Sequence, residues 1–169
     1  ELREAGVVGA IGVGMNQSAM LARFIRETDV DVVMLAGRYT LLEQAAADDL
    51  LPTALEQSRS VVAAAVFNSG ILGREEVPAT ATYNYQQASH DVLERARLLA
   101  SVCREHGTTL PAAAIHFPLR HPAVASVVVG MRSPEEVRHN LAAHAQQVPN
   151  ELWADLEYRG LLRARGMRG

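Results

Sequence analysis

The sequence predicts an α/β fold on a parallel sheet, and three observations point to it. Short runs of small and β-branched residues recur at 7–14, Val32–Ala36, 60–66 and 127–129. Stretches with helical apolar spacing separate them, so strand and helix alternate, which implies a parallel sheet with helices outside. Each strand runs out into a polar or glycine-containing loop. Such a sheet is an open doubly wound one or part of an eight-stranded barrel. A full barrel takes about 250 residues, so these four units in 169 residues would make half of one.

The elements follow in order. Glu1-Leu2-Arg3-Glu4-Ala5-Gly6 reads as the last turn of a helix with its terminal glycine, and the chain as the back part of something longer. The small-residue strand 7–14 enters a loop at Met15-Asn16-Gln17. Ser18 is placed to cap a helix whose apolar face carries Met20, Leu21, Phe24 and Ile25. The second strand follows Asp31 and leaves through 37–42. Asp48 and Asp49 then open a helix through Leu50, Leu51, Ala54 and Leu55, with Pro52 early enough to be tolerated. Helix-start carboxylates account for this pair better than a metal or acid/base site does. The third strand, 60–66, leaves through Phe67-Asn68-Ser69-Gly70-Ile71-Leu72-Gly73, a loop able to approach a phosphate or simply to turn. Segment 74–87, with Tyr83 and Tyr85, has no periodicity and reads as a long surface loop.

A helix over 91–106 places Val92, Leu93, Ala96, Leu99, Ala100 and Cys103 on its inner face, and Gly107 stops it. A shorter helix starts near Thr109 and is interrupted by Pro118. His116 and His121 flank that break without a metal-ligand spacing and read as structural or exposed. The run 127–129 suits a strand buried on both faces, ended by Gly130. Ser133 as N-cap, Pro134 at the first helical position and Glu136 three residues after the cap form a capping-box pattern. Strand, turn and helix together aim backbone N–H groups and the positive end of a helix dipole past the strand end. An anionic ligand suits that place, although many such turns bind nothing. Val137 and Leu141 are expected to face inward. Asn150 is placed to cap a last helix that buries Leu152, Trp153 and Leu156, and 163–169 reads as a frayed, arginine-rich end.

Composition narrows the function. The formal net charge of −3 favours neither nucleic acid nor an anionic membrane. No apolar run approaches the roughly 20 residues of a membrane span, and the start has no signal-peptide pattern. A single cysteine rules out an internal disulfide and fits a reducing, cytoplasmic setting. The chain has no lysine, so neither a Schiff-base lysine nor one that tunes a neighbouring acid can come from it.

Four motifs in the right order carry a family resemblance over essentially the whole chain, 1–169, taken as one partial barrel domain. Ala10-Ile11-Gly12-Val13-Gly14-Met15-Asn16 resembles the fifth strand of the aldo-keto reductases and its Gly-Val-Ser-Asn exit. Tyr39-Thr40-Leu41-Leu42 resembles the Tyr-Asn/Ser-Leu-Leu after the sixth. Val66-Phe67-Asn68-Ser69-Gly70-Ile71-Leu72 resembles the Pro-Leu-Gly-x-Gly-Leu-Leu loop after the seventh. Gly130 through Asn140 resembles the Gly-x-x-Ser-x-Glu-x-x-x-x-Asn element after the eighth. The resemblance implies the C-terminal half of a (β/α)8 barrel that moves hydride between NAD or NADP and a carbonyl or alcohol. Details of the loops are most similar to the aldose dehydrogenases of the L-fucose and D-threo-aldose type, with pyridoxal 4-dehydrogenase, which oxidise a sugar to its lactone or a related alcohol or aldehyde equivalent.

By that resemblance Asn16 would hold the nicotinamide amide, one place later than the family's asparagine, where Met15 stands here. The family's carboxamide-binding glutamine falls at Ala36 and its nicotinamide-stacking tyrosine at Ala64. Phe67, Asn68, Ser69 and Gly70 would cradle the pyrophosphate, largely through backbone N–H groups. Met131, Arg132, Glu136 and Asn140 would surround the adenosine. A carboxylate at 136 would repel a 2′-phosphate and accept from a ribose 2′-hydroxyl, favouring NAD, while Arg132 could bind a phosphate. The family's catalytic aspartate, tyrosine, lysine and histidine belong to the front half, so no catalytic residue is assigned here. The implied partners are a sugar or carbonyl substrate and the missing N-terminal half of the barrel. The alternative is a non-catalytic, dinucleotide-binding half-barrel that assembles with a partner.

Overall fold

The computed structural model describes residues 1–84 and 86–163. In chain order the elements are β1 (Gly12–Met15), α1 (Ser18–Glu27), β2 (Val32–Ala36), a 3₁₀ turn (Ala45–Ala47), α2 (Leu50–Glu56) and β3 (Ser60–Ala64). They continue with β4 (Thr82–Tyr83), β5 (Gln86–Gln87), α3 (His90–Glu105), α4 (Leu110–Leu119), β6 (Val124–Val128), α5 (Pro134–Ala145) and α6 (Asn150–Tyr158). The four longer strands make one parallel sheet in the order β1-β2-β3-β6. The α/β, parallel-sheet expectation holds.

Successive side chains of a strand point to opposite faces. On one face Val33, Leu35, Val61 and Ala63 are buried in a core shared with Leu21, Ile25, Leu50, Leu99, Leu110 and Leu156 from the helices. On the other face Met34 and Val128 remain 40% and 44% exposed. This corrects the expectation for the last strand. It covers Val124–Val128 rather than 127–129, and it is not buried on both faces, because it forms a sheet edge whose inner face has no layer on it. Close strand approach explains one glycine: a Cβ at Gly12 would fall 2.1 Å from the Val32 carbonyl oxygen.

The opening six residues close as a helix C-terminus. The Gly6 N–H donates to the Arg3 carbonyl at 3.1 Å and the Val7 N–H to that of Leu2 at 3.0 Å, with Gly6 at φ 70°. Arg3 pairs with Asp29 and Asp31, and Asp31 accepts the Ile11 N–H at 2.8 Å. That N–H, followed by the Arg3 guanidinium, holds the Asp31 carboxyl below its ordinary range. This network ties the leading turn to the N-terminal ends of the strands.

Several local expectations are corrected. The first strand is shorter than 7–14, since Val7 and Val8 continue the turn closure instead of a ladder. The third stops at Ala64 because Ala65 takes a left-handed φ of 54°. Ser18 is the first residue of α1, with Gln17 in the cap position, and Asn150 likewise follows Pro149. Met20 and Leu55 are exposed, since the buried stripes run through Leu21, Ala22 and Ile25 and through Leu50, Leu51 and Ala54. Asp49 makes no cap bond; its carboxylate takes Arg26 at 2.8 Å and so joins α2 to α1. Pro118 does not break α4, because it lies one residue before the helix ends. Val137 and Leu141 face outward, Leu141 at 62% exposure, because α5 meets α4 through Ala143. Arg163 is held rather than frayed: its N–H donates to Gln44 Oε1 at 2.8 Å, and its guanidinium pairs with Asp48. The remaining tail, 164–169, lies outside the described residues, as does Tyr85.

Other expectations stand. The shorter helix begins right after Thr109, and Leu152, Trp153 and Leu156 are buried. Cys103 is buried, which pushes its thiol up to about 12 and leaves it without thiolate character. His116 bonds the His144 carbonyl through Nε2 at 2.9 Å, and His121 Nδ1 accepts the Ala123 N–H at 3.2 Å, which are structural roles.

Candidate functional site

The C-terminal ends of β3 and β6 frame a cavity of about 820 Å³. This lies within the roughly 300–1,000 Å³ of small-molecule sites. Its floor is the turn after β3, with Phe67, Asn68, Ser69 and Gly70; Val129 and Gly130 leave β6 beside it. One wall is the segment after that turn, through Arg74, Pro78 and Thr80 to Thr82. The other is one face of α5, with Glu135, Glu136, His139 and Asn140, led by Arg132.

The floor is built from unusual backbone. Ala65, Asn68, Ser69 and Gly70 all have positive φ, between 45° and 95°. The Asn68 N–H donates to the Ala65 carbonyl and the Gly70 N–H to that of Phe67, each at 3.0 Å. These two amides are therefore engaged inside the turn. The Asn68 side chain is only 5% exposed, and its Nδ2 donates to the Gly37 carbonyl at 3.4 Å. Gly37, at φ 68°, donates its own N–H to the Ala64 carbonyl at 2.8 Å, so the exits of β2 and β3 are cross-tied. Facing Nδ2 toward Gly37 leaves Asn68 Oδ1 as a buried acceptor without a partner among the described residues.

The α5 end forms much as the sequence predicts. Ser133 Oγ accepts the Glu136 N–H at 3.1 Å, and Pro134 opens the helix. Glu136 reaches back one residue further than a capping box requires, accepting the Arg132 N–H at 2.6 Å and its guanidinium at 3.3 Å. The Arg132 N–H, and then the charges of Arg132 and Arg74, hold the Glu136 carboxyl below its ordinary range.

The wall formed by the segment after β3 is not a featureless loop, as expected for 74–87. It contains the β4–β5 hairpin, pinned to the loop after β2. Tyr83 donates its hydroxyl to Glu43, Arg38 reaches Glu43 at 3.2 Å, and Arg38 reaches Asn84 Oδ1 at 3.1 Å. Burial, then the Glu43 carboxylate, raises the Tyr83 phenol well above its ordinary value.

The cavity thus gathers Phe67, Asn68, Ser69, Gly70, Arg132, Glu136 and Asn140. Two expected members lie apart. Met131 is 46% exposed and does not line it, and Asn16 is exposed past the end of β1, on the opposite edge of the sheet from β6. Sequence reasoning missed Arg74, Glu135 and His139. The helical repeat from Arg132 contains the signal for the latter two, since 135, 136, 139 and 140 share its face. Nothing local marks Arg74. No group of three or more potential metal ligands occurs among the described residues, and none of their helices is long and apolar enough to cross a membrane.

A site at the C-terminal ends of parallel strands, with one wall on a helix N-terminus, is a barrel type of arrangement. The chain belongs to the aldo/keto reductase family, whose model matches residues 1–158. It is 46% identical over 156 residues to a D-threo-aldose 1-dehydrogenase from Pseudomonas sp, covering 92% of this chain and 47% of that protein. It is 39% identical over 162 residues to a pyridoxal 4-dehydrogenase from Microbacterium luteolum, covering 96% and 47%. Among solved structures, the holo form of aldo-keto reductase AKR11C1 from Bacillus halodurans matches with a TM-score of 0.72 at 21% identity, covering 96% of this chain and 53% of that one. The chain spans about half the length of the curated relatives it matches.

Proposed function

We propose that this chain is the cofactor-binding, C-terminal half of the barrel of an NAD(P)-dependent oxidoreductase. Its substrate class is an aldose of the L-fucose or D-threo type, oxidised to the lactone. The observation that carries the reading is the single cavity that brings the turn 67–70 together with Arg132, Glu136 and Asn140. The similarity to a D-threo-aldose 1-dehydrogenase supports the substrate class.

The residues fit the diphosphate and adenosine end of a dinucleotide. Ser69 and Gly70 offer a small, left-handed turn for the diphosphate. Arg132 and Asn140 flank the adenosine end. The Glu136 carboxylate disfavours a 2′-phosphate, and it already engages the Arg132 guanidinium, so NAD is preferred over NADP. Asn16 is assigned to the nicotinamide amide at the far edge of the sheet. Ala36 and Ala64 offer no side-chain contact there. When bound, the dinucleotide supplies the hydride acceptor. The group that takes the sugar's hydroxyl proton belongs to the other half of the barrel, which also covers the open face of the sheet. This chain binds and orients the cofactor and contributes no catalytic residue.

The test is a binding and turnover experiment on the intact protein. Titration with NAD+ and NADP+ should show tighter binding of NAD+, and L-fucose should then drive formation of reduced nicotinamide. Failure to bind either dinucleotide would sink the proposal. Binding without turnover of any aldose, carbonyl or alcohol would replace it by the non-catalytic half-barrel.

A further inference from the structure

The loop after β2 holds the cavity floor in place. Asn68 is the buried member of the turn after β3, while Ser69 and Gly70 beside it are exposed. The Asn68 N–H is engaged inside the turn, on the Ala65 carbonyl at 3.0 Å. Its side chain points to the exit of β2, where Nδ2 donates to the Gly37 carbonyl at 3.4 Å. Both donors of Asn68 are thus turned to the protein, and what they hold is the turn itself. Gly37 is fixed in its own right. Its N–H donates to the Ala64 carbonyl at 2.8 Å, and its φ of 68° is one that glycine adopts freely. The next residue, Arg38, lies 3.2 Å from Glu43 and 3.1 Å from Asn84 Oδ1. Gly37 and Arg38 therefore hold both ends of the segment after β3: Asn68, where it starts, and Asn84, in the hairpin that ends it.

The backbone at Asn68 has a φ of 45°, a region that glycine and asparagine tolerate best. Glycine would meet that demand with less strain, so conformation alone does not call for a side chain here. The amide adds the tie to Gly37. We propose that Asn68 is a positioning residue: through Gly37 it fixes the exposed pair Ser69 and Gly70 in the shape that receives a diphosphate. This rests on reading the cavity as a dinucleotide site. Left-handed backbone of this kind is costly and persists only where its surroundings hold it. Without the tie the turn is free to relax, and a ligand has to reorder it on binding. With the tie the ordering cost falls on folding, and the floor meets the ligand already formed.

The test replaces Asn68 in the intact protein and titrates each variant with NAD+ and with adenosine. Asn68→Gly keeps the left-handed turn and deletes the tie. Asn68→Ser is the second variant: Ser69 shows that serine adopts this backbone, at φ 61°, and a hydroxyl stops one bond short of the Gly37 carbonyl. Each variant should bind NAD+ about three- to ten-fold more weakly, the order of one net hydrogen bond. Adenosine has no diphosphate and should bind wild type and variants alike, whereas a general loosening of the cavity would weaken both ligands. Unchanged NAD+ affinity in either folded variant, or a loss shared equally by adenosine, would overturn the inference and leave the dinucleotide reading standing. If the wild type binds no NAD+, that reading falls and the inference with it.

Discussion

The two faces of the parallel sheet are made by the same four strands and have opposite characters. Toward the helices, Leu35 and Val61 are essentially fully buried beneath α1, α2 and their neighbours. Away from the helices, Gly12, Gly14, Met34, Ala64, Ser126 and Val128 form a shallow surface of small and apolar groups with no layer on it. Parallel sheets are normally covered on both faces. One face is therefore a finished core, and the other is built to be covered. The cavity lies between the two conditions, framed at the strand ends by elements of the finished side.

The largest expected effect follows from that uncovered face. The 169-residue chain by itself should self-associate, because β1 and β6 are outer strands of the sheet and the open face is apolar. Thermal unfolding followed at several concentrations, with light scattering, checks this. A sharp, concentration-independent melt of a monomer would contradict it. Next in size is a pair of substitutions that compares the faces directly. Leu35→Ala should cost about 2–4 kcal/mol, as deletion of a buried leucine does. Met34→Ala, one residue away, should cost under about 1 kcal/mol in the chain alone. Denaturant titration of both variants reads the difference, and in the intact protein the Met34→Ala cost should grow if the face is covered there.

The smallest effect concerns the cavity wall. Tyr83→Phe removes the hydroxyl that pins the hairpin to Glu43, and should cost about 1 kcal/mol locally, read as faster amide exchange around residues 82–87 without a change in the core. The same latch has a pH signature. The Tyr83 phenol is raised, so its contribution is fully present below the ordinary phenol pKa of about 10 and is lost as pH rises through and beyond it. Exchange in the hairpin should therefore quicken in base for the wild type and be less pH-sensitive in Tyr83→Phe.

The order of strands and helices was legible because it depends on local pattern. Apolar spacing, Gly6, Gly107, Thr109 and Ser133 mark elements and ends wherever the chain goes. Much of the cavity was legible for the same reason, since the turn 67–70 and the start of α5 are continuous motifs. Arg74 was not, because its place depends on how the segment after β3 folds across the strand ends, held by Tyr83 and Glu43, forty residues apart. Nor was the outward direction of Val137 and Leu141, since an apolar stripe does not say which neighbour meets it.

By itself, then, the sequence determined the alternation, the Ser133 cap and the helix-ending glycines Gly6 and Gly107. These rest on contacts within a few residues and on repeats of 2 and 3.6. Only the tertiary structure decided which sheet face the helices cover, that Asn16 and the cavity lie at opposite edges, and that Glu136 is already engaged by Arg132. Strand order, backbone turns with positive φ and side-chain pairing set these, and each depends on partners that local spacing does not name.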